Sequence, residues 1–546
     1  MTATARTPVL IVGAGPAGLV TALGLARHGV RSMIVERHPS TSIYPRATGI
    51  SLRSMEIFRA LGVEDEIRAF SLDARPTMSI AETLSSPEHT EAPLGFPTAE
   101  QTAAISPTRP AISPQDHLEP VLLQRLKGLG MTDIRFDTEL VALEQESSRI
   151  RATVVDTRTG GRTLVTSRYL VGADGGRSTV RDLLGIELEG EEDLEHYATI
   201  LFRANLWPHL GDRRHGLYAV GPDRRSVVVP MGPDDRWMFA TPVDRDTAEK
   251  VAADNAGQVS LVREAAGMPD LPVKVLASMP IAFVAQVATR WRDGRAFLIG
   301  DAAHRMPPFG GRGMNTAIAD AHNLSWKLAW VLQDVAEPAL LDSFEAERGP
   351  VGRRNVDLAL ARYRGQTAEA SPDGLVEDIG YVYRSPMLAP DAGGRALHAW
   401  LRGEAGPIST IDLFGERLVL LTNGSGAQWR MAARSLRGME HLLAGLAGLG
   451  PAIPVLPPPP VSVVAVGGAL VDADGSFARS YELAAGGAVL VRPDGHIAAR
   501  WPTPPVDCGE ALAEAVSMVL GHPRPAPLRT GERDPGRVPE ADPSPA

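Results

Sequence analysis

Gly13-Ala14-Gly15-Pro16-Ala17-Gly18 sets three glycines within six residues, and a carboxylate, Glu36, follows about 20 residues later. Such a set can bind a dinucleotide. One glycine allows a tight turn, one lets a pyrophosphate approach the backbone, and one allows close helix–strand packing, while the acid accepts from a ribose 2′-OH. Free N–H groups where the next helix opens add a positive dipole end for the phosphates. Far downstream, Arg295-Ala-Phe-Leu-Ile-Gly-Asp301 ends an apolar run on a second carboxylate, which can hold polyol hydroxyls. Gly310-Gly311-Arg312-Gly313-Met314-Asn315 follows after Pro307-Pro308. Its backbone N–H groups, helped by a helix dipole, suit an electron-rich ring edge.

These residues need strands that end beside them and helices that open from them. Pro8–Val12 is apolar and β-branched, which predicts a buried parallel strand. Pro16–His28 has a helical apolar pattern closed by Gly29, and Val30–Glu36 is a second strand. Arg295–Asp301 reads as another buried strand and Thr316–Leu332 as a long helix. Between them, residues 133–174 read as a meander: Asp133–Phe136, Leu140–Gln145, Arg149–Asp156, Arg162–Ser167 and Tyr169–Asp174, with a tight turn at Thr159-Gly160-Gly161. Alternation at His196–Ala204, Arg225–Met231 and Arg236–Pro242 predicts an antiparallel sheet. Residues 371–409 are irregular and read as a linker that wraps back onto the body. A new α/β pattern then has strands Arg417–Thr422, Val461–Val466 and Ala488–Arg492, helices Ala427–Arg437 and Met439–Leu449, and a Pro493-Asp494-Gly495 turn into His496–Trp501. Residues 521–546 are proline-rich and are expected to be disordered.

With 546 residues the chain can bury several cores, and 44% hydrophobic with 22% charged residues is ordinary for a soluble globular protein. A net charge of −10 argues against a nucleic-acid partner. The lone cysteine, Cys508, excludes a disulfide framework, a cysteine-based zinc site and a dithiol redox pair, and is compatible with a cytoplasmic location. It therefore also excludes a flavin disulfide reductase. Neither H-E-x-x-H nor G-x-S-x-G occurs, so no metal site and no serine-hydrolase elbow is expected. The uncharged stretch Thr7–Ala26 could pass for a signal or membrane segment, but its two prolines and four glycines fit the strand–turn–helix reading. Prolines also break the uncharged stretch His441–Val471, so no membrane association is expected.

The chain resembles the flavin-dependent aromatic hydroxylases of the para-hydroxybenzoate and phenol hydroxylase type. Gly13–Gly18 with Glu36 is similar to the family's ADP-binding motif, and Gly300-Asp301-Ala-Ala-His304 with Pro307-Pro308 and Gly310–Asn315 to its flavin-ribityl motif. Leu170-Val-Gly-Ala-Asp174-Gly175-Gly-Arg-Ser178 resembles the Asp-Gly motif that serves both flavin and nicotinamide. The resemblance implies cofactor-binding roles for Gly13, Ala14, Gly15, Pro16, Ala17, Gly18, Glu36, Asp174, Asp301, Pro308, Gly311, Gly313, Met314 and Asn315. Arg46 matches the family's flavin-side arginine, or is a surface arginine in a proline-bounded loop. Gln115 matches a cofactor-contacting position, or is an ordinary first-turn residue. Arg37 faces the adenosine or solvent. Phe202, Tyr218, Trp237, Phe239, Phe283 and Phe309 face a planar substrate or pack in the sheet core. His304 is commonly a packed residue in the family, and no catalytic base can be assigned.

The resemblance implies an α/β fold in which a discontinuous Rossmann-like FAD domain of glutathione-reductase type (1–76, 106–187 and 286–370) is interrupted by an antiparallel-sheet substrate domain (77–105 and 188–285). A thioredoxin-like domain without C-x-x-C (410–520) follows, structural or dimerising, so the chain is a monomer or a homodimer. It also implies non-covalent FAD, transient NADPH (or NADH) and O2, with oxygen transfer from a flavin C4a-hydroperoxide to an electron-rich ring. The sequence is most similar to hydroxylases of aromatic polyketides of the tetracenomycin and anthracycline type. A catabolic phenol or resorcinol hydroxylase, an antibiotic-inactivating hydroxylase, a Baeyer–Villiger oxygenase and a non-catalytic flavoprotein remain open. A plain NAD dehydrogenase shares the first motif but leaves Asp174 and the second motif unexplained.

Overall fold

The computed structural model describes residues 3–45, 47–366, 374–446 and 461–522, without the side chains of 437–446. Arg46, the Pro457–Pro460 run and residues 523–546 of the expected disordered tail lie outside the described residues.

A parallel sheet orders Ala296–Leu298, Arg162–Gly172, Ala3–Val12, Ser32–Val35 and Thr132–Arg135 side by side. Val9, Leu10 and Ile11 are fully buried, because helices cover both faces of a parallel sheet. Helix Pro16–Arg27 packs on helix Gly313–Leu332 so closely that a Cβ on Gly24 would lie 2.2 Å from the Ser325 hydroxyl. Two expectations change here. The 133–174 meander is split: Thr132–Arg135 joins the parallel sheet, and only Thr138–Gln145, Ile150–Asp156 and Arg162–Gly172 run antiparallel. Arg162–Ser167 and Tyr169–Asp174 are one strand, because Arg162–Gly172 pairs with Ala3–Val12 along both halves.

The second sheet orders His304–Arg305, Lys274–Ala288, Leu188–Arg203, Arg236–Val243, Ser226–Pro230, His215–Val220, Arg75–Ile80 and Thr90–Pro93. The sheet expected to be antiparallel is mixed: His215–Val220 pairs parallel with Arg75–Ile80, because that pair joins segments far apart in the chain rather than a hairpin, and the other pairs are antiparallel. Period-two alternation splits the apolar residues between two faces. Ile200, Phe202, Tyr218, Trp237 and Phe239 form a core with Val262 and Ala266 of helix Asn255–Ala266. Leu201, Val229, Met231 and Tyr44 cluster on the opposite face.

The C-terminal unit orders Val461–Val466, Leu418–Asn423, Ala488–Val491 and Ile497–Trp501, with the first pair parallel and the others antiparallel. With a crossover helix and the closing helix Cys508–Val519, this is thioredoxin-like topology. One continuous helix, Ala427–Leu446, spans the two helices expected, and residues 447–449 of the second lie outside the described residues. The segment expected to wrap back onto the body does so: Asp378 accepts from the Arg53 N–H, and Ala389, Gly393 and Ala396 donate to the carbonyls of Ala498, Ile497 and Gly495. No helix among the described residues is long and apolar enough to cross a membrane.

Candidate functional site

Register places the chemistry. Val12 pairs with Val35 and with Gly172, and Gly172 pairs with Leu298, so these strands end side by side. Gly13, Glu36, Asp174 and Asp301 therefore leave the same carboxyl edge, where α/β sheets bind ligands. The Gly13 N–H donates to Val35 O (2.8 Å), the Ala173 N–H to Val12 O (2.8 Å) and the Ile299 N–H to Gly172 O (3.0 Å).

The glycines of the first motif divide their work. Gly13 has φ +105°, and a Cβ there would lie 2.3 Å from Ala173 O. A Cβ on Gly18 would lie 2.0 Å from Gly13 O, which is the helix–strand contact. A Cβ on Gly15 would meet nothing within 4 Å, leaving open space before the loop. Ala14 and Ala17 are buried and Pro16 is half-buried in the helix's first turn. The Glu36 carboxylate accepts from the N–H groups of Ala14 and His38, each at 2.9 Å, which ties it to the turn. Arg37 is exposed.

Asp174 is half-buried, and burial pushes its carboxyl up, opposed by the Ser178 hydroxyl and the Val180 N–H (3.0 Å) that donate to it. Both of its oxygens thus serve the start of helix Thr179–Leu183. Asp301 is exposed on the one-turn 3-10 helix Gly300–Ala302. Gly300 is wedged between Ala317 and Ala17: a Cβ there would lie 3.0 and 3.5 Å from their methyl groups. Both sequence motifs therefore meet at one glycine.

Helix Gly313–Leu332 opens three residues earlier than the pattern predicted, so Gly313, Met314 and Asn315 form its first turn. The apolar period begins only at Thr316, which hid that turn. Gly311 precedes it at φ +62°, and Pro308 is exposed. Asn315 is buried; its Oδ1 accepts from the Ser51 N–H (2.9 Å), and its Nδ2 donates to Gly49 O (3.0 Å) and Gly311 O (2.7 Å). It clasps backbone and has little left for a ligand. Gln115 opens helix Gln115–Leu129; its N–H donates to Ala47 O (2.8 Å) and its side chain to Glu119 (2.7 Å). Buried Glu119 also accepts from the Ser42 N–H (2.7 Å), anchoring the chain at Ser42. Sequence reasoning missed Glu119, although its i,i+4 spacing from Gln115 was a signal.

Of the six aromatic candidates, Phe202, Tyr218, Trp237 and Phe239 belong to the core under helix Asn255–Ala266, away from Tyr44. Phe283 stacks on Tyr197 at 4.4 Å and meets Phe309 edge-on at 6.1 Å, and Phe309 meets Tyr363 at 5.6 Å. The face bearing Leu201, Val229 and Met231 also carries half-buried Leu217, Met238 and Met279. Tyr44 reaches it through a hydrogen bond to the Thr199 hydroxyl. His304 is fully buried on Asp320 (2.7 Å), a packed position rather than a base facing open space. His89, Glu91 and His215 bring donor atoms within 4.8 Å of one another, and Arg75 already pairs with Glu91 at 3.0 Å.

These residues fit a flavin dinucleotide. Neither helix Pro16–Arg27 nor helix Gly313–Leu332 has a side-chain cap, so both keep first-turn N–H groups for a ligand. Gly15 leaves room for phosphate, and Glu36 and Asp301 are acceptors for hydroxyls.

The FAD binding domain profile matches residues 6–359, and the aromatic-ring hydroxylase C-terminal profile matches residues 389–523. The chain is 36% identical to a 4-methyl-5-nitrocatechol 5-monooxygenase of a Burkholderia species, over 94% of this chain and 98% of that protein. It is 35% identical to a tetracenomycin A2 monooxygenase-dioxygenase of Streptomyces glaucescens, over 95% and 97%. The crystal structure of the flavin-dependent monooxygenase PieE, in complex with FAD and substrate, superposes with a TM-score of 0.84 at 32% identity, covering 95% of this chain and 99% of that one. Uncapped helices at a shared strand edge, a second, largely antiparallel sheet and similarity along most of the chain converge: the chain belongs to the FAD-dependent aromatic-ring hydroxylases and is a flavin-dependent monooxygenase.

Proposed function

We propose that this protein hydroxylates a polycyclic, electron-rich aromatic of the polyketide phenol or quinone class, with O2 and a transiently bound NADPH (or NADH) as co-substrates. Bound FAD supplies the redox and oxygen-transfer chemistry. This chain's residues bind and orient it. Gly13–Gly18 and the first turn of helix Pro16–Arg27 take the pyrophosphate, Glu36 the adenosine ribose, and Asp301 the ribityl hydroxyls. The turn from Pro308 through Gly311 to Gly313 and Met314 takes the ring edge. Asn315 and Gln115 hold the backbone around that end, and Asp174 shapes the loop beside it. The location proposed is cytoplasmic, and the working unit a monomer or homodimer.

The observation that carries the polycyclic reading is the sheet face with Leu201, Leu217, Val229, Met231, Met238 and Met279. Its cluster members are apolar apart from the Tyr44 hydroxyl, with the Arg236–Asp116 ion pair beside Met231, and methionine side chains adapt to irregular ring systems. A site lined this way excludes water and orients a flat ligand by shape, which lowers the barrier by positioning. The tetracenomycin enzyme is a relative over the full chain. A second reading, a monocyclic catechol, is favoured by the nitrocatechol enzyme at equal similarity.

The test is turnover under 18O2 with NADPH and matched panels of polycyclic and monocyclic phenols. A product heavier by one 18O atom from a polycyclic member supports the proposal. Incorporation confined to monocyclic catechols replaces it with the second reading. Insertion of oxygen between ring carbons would make the enzyme a Baeyer–Villiger oxygenase.

A further inference from the structure

Asp320 lies inside helix Gly313–Leu332 and is fully buried. All its partners are donors. Its Oδ2 accepts from the Gly300 N–H at 3.1 Å and from His304 Nε2 at 2.7 Å, and its Oδ1 from Arg348 Nε at 2.8 Å. Gly300 immediately precedes Asp301, has φ +60°, and is the residue wedged against Ala17 and Ala317. One carboxylate thus pins the turn that presents Asp301, the following His304, and the long helix whose first turn carries Gly313–Asn315.

The pin is itself braced. Arg348 donates to Thr316 O (3.2 Å) and to the Tyr383 hydroxyl (3.3 Å). Tyr383 stacks at 4.1 Å on His496, which belongs to the C-terminal unit. Burial pushes the Asp320 carboxyl up, but Arg348 and His304 outweigh it and hold it below the usual carboxylate range. It is therefore ionised and accepts only.

We propose that Asp320 is the positioning residue of the flavin's ribityl end: it touches no ligand, and it fixes the Gly300–Asp301 turn against the helix that receives the ring. This rests on the reading that FAD binds at this edge. Asparagine cannot replace it. In either amide orientation its NH2 would face a donor, Arg348 on one side or Gly300 and His304 on the other.

The experiment is fluorescence titration of the apoprotein with FAD, alongside apoprotein Tm, for wild type, Asp320→Asn, Arg348→Lys and Glu347→Gln. Glu347 is an equally buried carboxylate, paired with Lys327 and Arg492, that does not touch the turn. Asp320→Asn is expected to raise the FAD Kd at least tenfold, and Arg348→Lys three- to tenfold. Glu347→Gln is expected to lower Tm at least as much while moving Kd less than threefold. FAD binding by Asp320→Asn within threefold of wild type would overturn the proposal, as would an equal loss of affinity in Glu347→Gln. If Asp320→Asn does not fold, an unchanged Kd in Arg348→Lys overturns it. Wild-type apoprotein that binds no FAD would sink the underlying reading instead.

Discussion

Glu36 and Gly13 show how little freedom the nucleotide end has. The Glu36 carboxylate already organises the turn through Ala14 and His38, so its oxygens are held in place at the strand edge. Hydrogen bonds to a charged group contribute about 1.5–3 kcal/mol. Glu36→Ala is therefore expected to weaken FAD about 10- to 100-fold, read by fluorescence titration; an unchanged Kd would remove Glu36 from the site. Gly13→Ala sets a methyl 2.3 Å from Ala173 O at a backbone angle that disfavours side chains. It is expected to cost upward of about 2 kcal/mol in urea unfolding and to abolish FAD retention. A stable, yellow Gly13→Ala protein would contradict the packing described. Both residues were legible in the sequence because their work is local: a turn, and a strand end a fixed distance on. Asn315 was legible as a motif member, but its clasp on Gly49, Gly311 and Ser51 was not, because its partner segment lies some 264 residues away.

At the scale of elements, the charges that join the C-terminal unit to the flavin-side helices matter most. Arg492 follows strand Ala488–Val491 and is fully buried, donating to both Glu347 oxygens (2.6 and 2.8 Å) and to Asp494. Glu347 also takes Lys327 (2.8 Å). Nearby, Glu56 pairs with Arg53 and Arg395. Removing one member strands buried charge, at about 3–5 kcal/mol. Arg492→Met is expected to lower the unfolding free energy in urea titration by that amount and to expose this junction to protease; a loss under about 1 kcal/mol would mean the junction is wet. None of these pairs could be read in advance, since in sequence each residue looks like a solvated charge. Strand alternation, by contrast, gave three of the second sheet's eight strands. It could not say which face met the helix, so four of the six aromatic candidates proved to be core. The early start of helix Gly313–Leu332 escaped because glycines and asparagine carry no apolar period.

For the whole molecule, burial makes stability depend on pH. His496 is 1% exposed, and burial first of all pushes its pKa down from 6.5 to about 3. A depressed histidine favours the folded state above pH 6.5, and that contribution is lost as pH falls toward 3. The loss is about 1.4 kcal/mol per unit of pH below 6.5. Burial alone would raise Glu56 and Glu347, but their arginine and lysine partners hold both near 2. Their contribution is intact above 4.5 and lost between 4.5 and 2. Burial also lowers His322 to about 3 and His28 to about 4, so acid unfolding is expected in two stages, and His496→Phe should reduce, not remove, the slope of the first between pH 6.5 and 5. Identical slopes for wild type and His496→Phe in urea titrations would contradict this. The shared strand edge was legible from three spaced motifs, and so was the wrapping back of the segment after residue 371, but the strand on which residues 389–396 dock was not, because backbone pairing between irregular segments leaves no side-chain pattern.

The measurement that tests the central claim most directly is the anaerobic rate at which NADPH bleaches the bound flavin, with and without polycyclic and monocyclic phenols. The expected result is slow bleaching alone and strong acceleration by a polycyclic phenol. Bleaching that is fast without any phenol, or unmoved by all of them, would contradict a substrate-gated aromatic hydroxylase.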